Sequence, residues 1–584
     1  MEITQREWKL RSPDVPIEND ELAAKIERLR AETGLSPVTL RICMLRGMED
    51  ADGIQLFLNP KLEKLKNPMS IRDMDRAIER LVQARTAGES VRIFGDYDVD
   101  GTTGAALLSW FFREIGLKYD ARQPDRFKDG YGLNVGAVEE AAAAGARVLV
   151  TVDCGITSFD AATKAKELGI DLLVVDHHHV DPVRGIPTAY AVVNPQRPDC
   201  ESGLKQLCGC GLAFFLAMAL RARGRADGWW SAGGEPNLKQ HLDLVVMATA
   251  ADMVPLTGDN HILVRHGLEV LKHSKKPGVR ALLEAAGLGE RELSPSHLGF
   301  VIGPRINASG RIQSASLALE LLTTTDPVRA RELALELERL NKERQEIQNK
   351  IWDEVRARVE QGIAAGKFKH GIVVADASWH EGVVGIVASR VTEMFRRPAA
   401  ILALREDFGK GSVRSYAGKD VLGALRASAE CLLGFGGHKY AAGLSVALDK
   451  VDAFAEAFDS ALAEMAEDAD ARPLAIEGSC AIEDLDVRTL QEIERLGPFG
   501  PGNPEPVFSV RASVTSHHIL KGRHLKMSLS DMTSQIDGIW FNAAEGEKVV
   551  SDLESEAEWA VVPELNRFRG RVTPTLRVRD RRPI

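Results

Sequence analysis

Apolar residues along this chain follow two rhythms. Short, nearly continuous runs, SVRIF (90–94), RVLVTV (147–152) and DLLVV (171–175), predict buried β-strands. Between them lie longer apolar-polar patterns, TGAALLSWFFREIG (103–116) and TSFDAATKAKELG (157–169), which predict helices. A further strand is expected in AYAVVNP (189–195). Strands spaced roughly 25 residues apart with helices between them are βα units and imply a parallel sheet. Residues 326–362 change the rhythm: the stretch is polar, charged and free of proline after Pro327. It predicts one helix of about 36 residues, close to 54 Å long. That is too long for one compact domain, so it joins two. Asn341, Gln345 and Gln348 interrupt its apolar repeat, which argues against a free-standing coiled coil. Beyond it, HGIVVA, VVGIVASRVTEMF, PAAILAL and GKGSVRS again alternate strand and helix. From about residue 464 the pattern shortens into successive strands with turns, which predicts an all-β part.

The polar residues that end the strands carry the chemistry. After the first strand comes GDYDVDGTTG (95–104), after the second Asp153, Cys154 and Gly155, after the third Asp176, His177, His178 and His179. Asp96, Asp98, Asp100 and Gly101 match the first half of an EF-hand loop, but position twelve is Leu107 rather than a bidentate glutamate. The flanking strand and helix place these carboxylates instead on a strand-to-helix turn, the edge where open α/β sheets bind ligands. Any one of them could be a helix N-cap, Asp153 in particular. Together they put about five carboxylates and two or more imidazoles on one rim, where they repel unless cations sit between them. A mixed Asp/His set suits Mn²⁺ or Mg²⁺ better than a structural zinc.

Composition adds bounds. The 584 residues, 44% hydrophobic and 27% charged, suit three or four globular domains, and no uninterrupted apolar stretch predicts a membrane span. MEITQREWKLRSP has no apolar core of a secretory leader, and seven thinly spread cysteines form no disulfide framework, so the expected compartment is the cytoplasm. Cys200, Cys208 and Cys210 lack a fourth zinc ligand; LCGCGLAFFLAMAL predicts a glycine turn entering a buried helix. The net charge of −10 means that a polyanion must be gripped by local patches or ions. Two such patches occur near the C-terminus: Lys521, Arg523, His524 and Lys526, and seven arginines between Arg567 and Ile584 with Phe568 interleaved. They read either as solvated basic surface or as a groove for a nucleic-acid backbone.

The D-x-D turn, the VDCG turn and Asp-His-His after an apolar strand resemble the DHH phosphoesterase superfamily. Five further segments, ATAADMVPL (248–256), GPRINASGR (303–311), SWHEGVVGIVASR (378–390), GGHKYAAG (436–443) and GPFGPGNPEP (497–506), resemble the RecJ family of bacterial single-strand DNA exonucleases, in that family's order. The resemblance implies an N-terminal segment (1–55), a parallel-sheet DHH domain (56–325), the connecting long helix (326–362), a smaller α/β DHHA1 domain (363–463) and an all-β OB-fold domain (464–584). It implies Asp98, Asp100, Asp153, His177 and Asp252 as metal ligands, with Asp153 bridging two ions. Asp96 is a further ligand or a support behind them, and Asp176 and His178 orient ligands or touch substrate. His179 reads as a loop residue. One departure is Phe94, where many DHH proteins carry a histidine, so one ion has fewer protein ligands.

For the substrate the resemblance implies Arg305, Asn307 and Arg311 from a loop, and Ser378, His380, Arg390, Arg414, Gly436 and Gly437 from the DHHA1 domain. His438 polarises the scissile phosphate across a cleft between the two domains. Lys521, Arg523, Lys526, Arg567 and Arg569 line the OB groove. The implied activity is 5′-to-3′ hydrolysis of single-stranded DNA to 5′-mononucleotides with two divalent cations, Mn²⁺ or Mg²⁺. The implied setting is recombination and repair, with single-strand-binding protein and a RecQ-type helicase as partners. Two alternatives remain: a phosphoesterase on short oligonucleotides or cyclic dinucleotides, which would usually lack the OB part, and an inactive single-strand-binding scaffold, which would have lost metal aspartates.

Overall fold

The computed structural model describes residues 7–11, 20–125, 130, 132–231, 233–465, 473–545, 548, 549, 553 and 555–584. Five parallel strands form the first sheet, in the order Tyr119–Arg122, Ser90–Gly95, Ala146–Val152, Asp171–Val175, Ala191–Val193. Both faces are buried, which is why the strands read as continuous apolar runs. Val91, Ile93, Val148, Val150, Val152, Leu173 and Val175 point into one core, beneath helices Val99–Glu114, Gly209–Ala226 and Leu242–Ala251. Leu149, Leu172, Val174 and Val192 point the other way, under Val135–Ala143 and Phe159–Glu167. The edge strand Tyr119–Arg122 escapes the sequence reading because three half-buried residues and an exposed Arg122 give no apolar run.

The long helix runs from Pro327 to Ala364, 38 residues and so about 57 Å, with Asp326 capping its start by accepting the Val328 amide at 2.8 Å. Its first half, Ala330 to Leu340, is part of the first domain's core. Its second half, Ile351 to Val359, packs on a second five-stranded sheet of order Leu432–His438, Ala441–Ala447, Phe408–Arg414, Ala399–Leu404, Ile372–Asp376. The residues that break its apolar repeat mark the handover. Arg344 is buried there and donates to Asn341 Oδ1 and Gln348 Oε1, both at 2.9 Å. Segment 303–311, expected as a loop, is instead helix Gly303–Ile312, with Pro304 in its first turn and a π-turn, Leu298–Ile302, feeding into it.

The C-terminal strands close a five-stranded barrel: Phe508–Leu520, His524–Ser530, Gln535–Trp540, Arg571–Pro583, Ala557–Phe568. The N-terminal residues do not stand apart as a separate segment. Helices Asp20–Thr33, Pro37–Leu45 and Ala51–Leu58 share one core with this barrel and with helix Val487–Arg495. Trp8–Leu10 also pairs in parallel with Leu474–Ile476. Pairing across the whole chain length leaves no signal in local periodicity. Among the described residues no helix is long and apolar enough to cross a membrane.

Because Leu40 is fully buried in this shared core, Leu40→Ala is expected to cost about 2–5 kcal/mol in that part. A lower urea midpoint for the barrel's tryptophans checks it; an unchanged midpoint contradicts the joint core.

Candidate metal centre

All the charged groups of the site stand at the carboxyl edge of the first sheet. Asp96 follows one strand directly, Asp153 the next and Asp176 the third. Asp98 caps helix Val99–Glu114, accepting the Gly101 amide at 3.1 Å, and Asp100 sits in that helix's first turn. The turn has no room for a side chain at Gly101, where a Cβ would lie 2.4 Å from the Asp96 nitrogen. Asp153 holds a left-handed φ of 64°, a strained state for a residue with a Cβ. Gly209 passes so close that a Cβ there would meet Asp153 Cβ at 2.7 Å.

Hydrogen bonds aim most of these carboxylates. Asp100 accepts the amides of Gly209 at 2.6 Å and Cys210 at 2.7 Å, at the start of helix Gly209–Ala226. Asp176 accepts the amides of Ile156, His177 and His178 at 2.9, 2.8 and 3.1 Å, and lies 2.8 Å from His178 Nδ1. Asn194 at the end of the fourth strand donates to the His178 carbonyl at 2.9 Å. His177 Nε2 stands 3.1 Å from Asp153 Oδ1, 3.6 Å from Asp100 Oδ2 and 3.7 Å from Asp252 Oδ2. Gly209, Cys210 and Asn194 were not anticipated as supports. The only sequence signal was the glycine-rich helix start LCGCG and a polar residue after a strand.

The electrostatics of this rim ask for positive charge. Asp96, Asp100, Asp153 and Asp176 are 1–2% exposed. Burial, then the neighbouring carboxylates, push Asp96 and Asp153 well above the usual range. Burial raises Asp100 too, against the pull of His177, and burial with Asp100 and Asp98 takes Asp252 up to about 8. Burial also works to raise Asp176, but the hydrogen bond and charge of His178 and the backbone amides outweigh it, and its pKa is lowered. His178 moves in the complementary direction: burial opposes its charge, but Asp176 carries it up to about 9. Burial outweighs the attraction of Asp100 at His177 and keeps that imidazole below its ordinary value, a neutral lone-pair donor.

Donor atoms fall into three compact sets, each within 4.8 Å: Asp96, Asp98 and Asp153; Asp100, His177 and Asp252; Asp153, His177 and His178. Asp96 Oδ1, Asp153 Oδ1 and His177 Nε2 are buried without a hydrogen-bond partner. Buried, partnerless donor atoms among repelling carboxylates fit divalent cations. The first set is all oxygen and the second is mixed.

The other expected residues divide. His438, on strand Leu432–His438, is held below its ordinary pKa by burial and by the nearby charges of His178 and His179. Gly437 has a φ of 144° and no space for a Cβ, 2.5 Å from the Ala441 oxygen; Gly436 is open. Arg414 donates to Ser412 Oγ at 2.7 Å, and its Nη2 would lie 3.2 Å from a Cβ on Gly385, in the first turn of helix Val384–Phe395. The His380 carbonyl accepts the Val383 and Val384 amides at 3.0 and 3.2 Å, so His380 lies at that same helix start. Arg311 reaches across from the first domain and donates to the Gly382 carbonyl at 3.1 Å. Asn307 keeps a buried Oδ1 without a partner.

Three residues are engaged elsewhere. Arg305 pairs with Glu338 of the long helix at 2.7 Å, Ser378 bonds Asp376 at 2.6 Å, and Arg390 stacks over Trp352, 4.0 Å from the ring centre. The basic run is also largely self-neutralised. Arg567 pairs with Glu494, Arg577 with Glu505 and Glu564, Arg579 with Glu505 and Arg582 with Glu558, while Lys526 stands 3.5 Å from Asp537. Arg569, beside exposed Phe568, and Lys521 and Arg523 stand at barrel turns. Cys200, Cys208 and Cys210 join no metal-binding set among the described residues: Cys208 caps the Gly209–Ala226 helix, and all three thiols are buried.

Three family models match in order: the DHH family N-terminal domain over 90–249, the DHHA1 domain over 368–464 and the RecJ OB domain over 476–580. The single-stranded-DNA-specific exonuclease RecJ of Dickeya dadantii is 36% identical over 97% of both chains. That of Bacillus subtilis is 33% identical over 99% of this chain and 71% of its own. The crystal structure of RecJ with Mn²⁺ from Thermus thermophilus superposes with a TM-score of 0.81 at 29% identity, covering 99% of this chain and 79% of that one. A second crystal structure from the same organism carries Mg²⁺, with a TM-score of 0.76 at 28% identity, over 99% of this chain and 78% of that one.

A parallel sheet whose rim gathers aspartates and a DHH motif, faced by a DHHA1 sheet, defines a phosphoesterase of the DHH class. With a RecJ-type barrel completing it, the chain belongs to the RecJ family of single-stranded-DNA-specific exonucleases.

The proton affinities of the rim set a pH dependence. Asp252 is held at about 8 against 3.8 when unfolded, so its neutral form is favoured in the fold and stability falls as pH rises from 3.8 through 8. His178 is raised from 6.5 to about 9, so its contribution is complete below 6.5 and is lost as pH rises through 9. Metal-free protein is therefore expected to melt at lower temperature at pH 9 than at pH 6, and Mn²⁺ should raise Tm more at the higher pH. Calorimetry in EDTA and in Mn²⁺ checks this; a flat profile unaffected by Mn²⁺ contradicts the crowding.

Proposed function

We propose that the chain removes 5′-mononucleotides from single-stranded DNA in the 5′-to-3′ direction, with two divalent cations, Mn²⁺ or Mg²⁺. The observation that carries this reading is the pair of donor sets on one rim, Asp96/Asp98/Asp153 and Asp100/His177/Asp252, with Asp153 beside both. Bound there, divalent cations lower the pKa of a water, neutralise phosphate charge and clamp the attacking and leaving oxygens. The remaining work belongs to the chain. Asp176 fixes the orientation of the His178 ring through its Nδ1. Across the cleft His438 meets the phosphate from the other side. Arg414, with the amides that open helix Val384–Phe395, offers a planar cation and N–H groups to a neighbouring phosphate. Arg311, bonded to Gly382, ties the two walls together.

The boundaries proposed are those of the sequence reading, with residues 1–55 joined to the barrel. For the barrel we propose single-strand binding through Lys521, Arg523, Arg569 and exposed Phe568 rather than through the ion-paired arginines. A cytoplasmic role in recombination and repair, with single-strand-binding protein and a RecQ-type helicase, completes the reading.

Asp153→Ala is expected to lower hydrolysis at least about a thousandfold while leaving affinity for a nuclease-resistant oligonucleotide within about threefold. Single-stranded DNA labelled at the 5′ or the 3′ end tests the direction. Immediate release of labelled mononucleotide from the 5′ end, abolished by EDTA, is expected; prompt release from the 3′ end reverses the polarity, and activity in EDTA overturns the metal reading.

A further inference from the structure

Asp252, like Asp153, differs from the rim carboxylates that backbone amides aim. Asp98, Asp100 and Asp176 are each aimed by backbone amides, whereas the Asp252 side chain accepts no hydrogen bond among the described residues. Its place follows from its backbone and from His177, whose Nε2 lies 3.7 Å from its Oδ2. Asp252 is the C-cap of helix Leu242–Ala251, and Met253 after it takes a left-handed conformation with φ 56°. A methionine stays in that conformation only if the chain beyond it is held in place.

Residues 255–257 are clamped twice. Within the first domain, buried Asn260 donates to the Pro255 carbonyl at 2.9 Å and to the Gln206 carbonyl at 2.6 Å. From the C-terminal part, the segment GPFGPGNPEP lies directly on residues 255–257. The Leu256 amide donates to the Pro501 carbonyl at 2.7 Å. A Cβ on Gly500 would meet Leu256 Cδ1 at 2.7 Å, and one on Gly502, whose φ is 73°, would meet Pro255 Cβ at 3.0 Å. Arg265 of the first domain reaches the Gly497 carbonyl at 3.4 Å.

The segment is itself locked. Gly500 and Asn503 exchange backbone hydrogen bonds at 2.9 and 3.1 Å, and Asn503 Nδ2 donates to the Leu496 and Pro498 carbonyls at 3.0 and 2.9 Å. Arg46, at the end of the N-terminal helix Pro37–Leu45, donates to Asn503 Oδ1 and, at 2.8 Å, to the Pro504 carbonyl. It also stands 3.7 Å from Glu477, a fully buried carboxylate that accepts from Arg11 at 2.6 Å. A chain of fixed groups thus runs from the N-terminal helices through the C-terminal segment to the residue four places after Asp252.

We propose that segment 497–506, fixed by Asn503 and Arg46, is a positioning element of the metal centre, holding Asp252 against His177 and Asp100. The inference rests on the two-cation reading and deepens it: the ion of the mixed Asp/His set is bound in full only when all three parts of the chain are docked. Asn503 and Arg46 touch neither ion nor substrate; they act through Leu256 and Pro255.

The test uses the full chain with Asn503→Ala and Gly502→Ala. Mn²⁺ binding is counted by electron paramagnetic resonance, and cleavage of single-stranded DNA is followed across Mn²⁺ concentrations. Removing a group that supports a metal ligand typically changes affinity about 10–100-fold. One of two Mn²⁺ ions is expected to weaken at least about tenfold, while the other ion and the affinity for nuclease-resistant DNA stay within about threefold. Cleavage lost at low Mn²⁺ should return at high Mn²⁺. Asn503→Asp, which keeps the acceptor for Arg46, should fall between wild type and Asn503→Ala. Unchanged affinity for both ions with a lowered Tm overturns the proposal, leaving a structural brace only. Equal loss at both ions overturns it as well. Should Asn503→Ala not fold, Gly502→Ala and Arg46→Lys carry the same comparison. Wild-type protein that binds no Mn²⁺ would instead refute the metal reading beneath it.

Discussion

Four nearly inaccessible aspartates on one sheet edge repel one another, and the surrounding fold is arranged to hold them there. Each would lower its own energy by turning toward water. Amide donors prevent this at Asp100 and Asp176, a helix cap holds their neighbour Asp98, and a strained backbone fixes Asp153. The result stores protons when no cation is present, because burial and like charge raise Asp96, Asp153 and Asp252 together. Divalent ions remove the conflict by exchanging places with those protons. The two donor sets are not equivalent. Three carboxylates make a hard, highly charged site, whereas the set with neutral His177 is softer and carries less charge. Phe94, buried and apolar, adds no donor to the first set and so keeps that asymmetry.

The metal rim was legible in the sequence because its residues are tied to strand ends, and strand ends are visible as the point where an apolar run stops. Asp96, Asp98, Asp153, Asp176 and His177 needed no more than that. Asp252 was legible only through resemblance, since it caps the end of a helix and no periodicity marks it. Charge is only half legible without its partner. Arg305, Arg390 and the arginines from 567 to 582 are visible as charges, but a sequence does not show that Glu338, Trp352, Glu494 and Glu505 stand beside them. GPRINASGR was expected as a loop, yet its proline is at home in the first turn of the helix it forms.

Length was the other readable quantity. A helix of 38 residues with apolar stretches at both ends must serve two cores, and its polar interruption marks the change. Being rigid along its axis, it fixes how far apart two walls can be. The metal rim belongs to the core at one end, His438 and Arg414 to the core at the other, and Arg311 pins the gap near the middle. A cleft built this way takes its span from the hydrogen-bonded length of one helix.

How an acidic protein attracts DNA then has a particular answer. Most of the barrel's arginines are matched by glutamates, so they stabilise the barrel while adding little outward field. With a net charge of −10, general attraction is weak. Divalent cations held at the rim would be the strongest positive charge that this surface offers a phosphate. The same aspartates that make the folded chain electrostatically costly would then give it a hold on phosphate, through the ions they would bind.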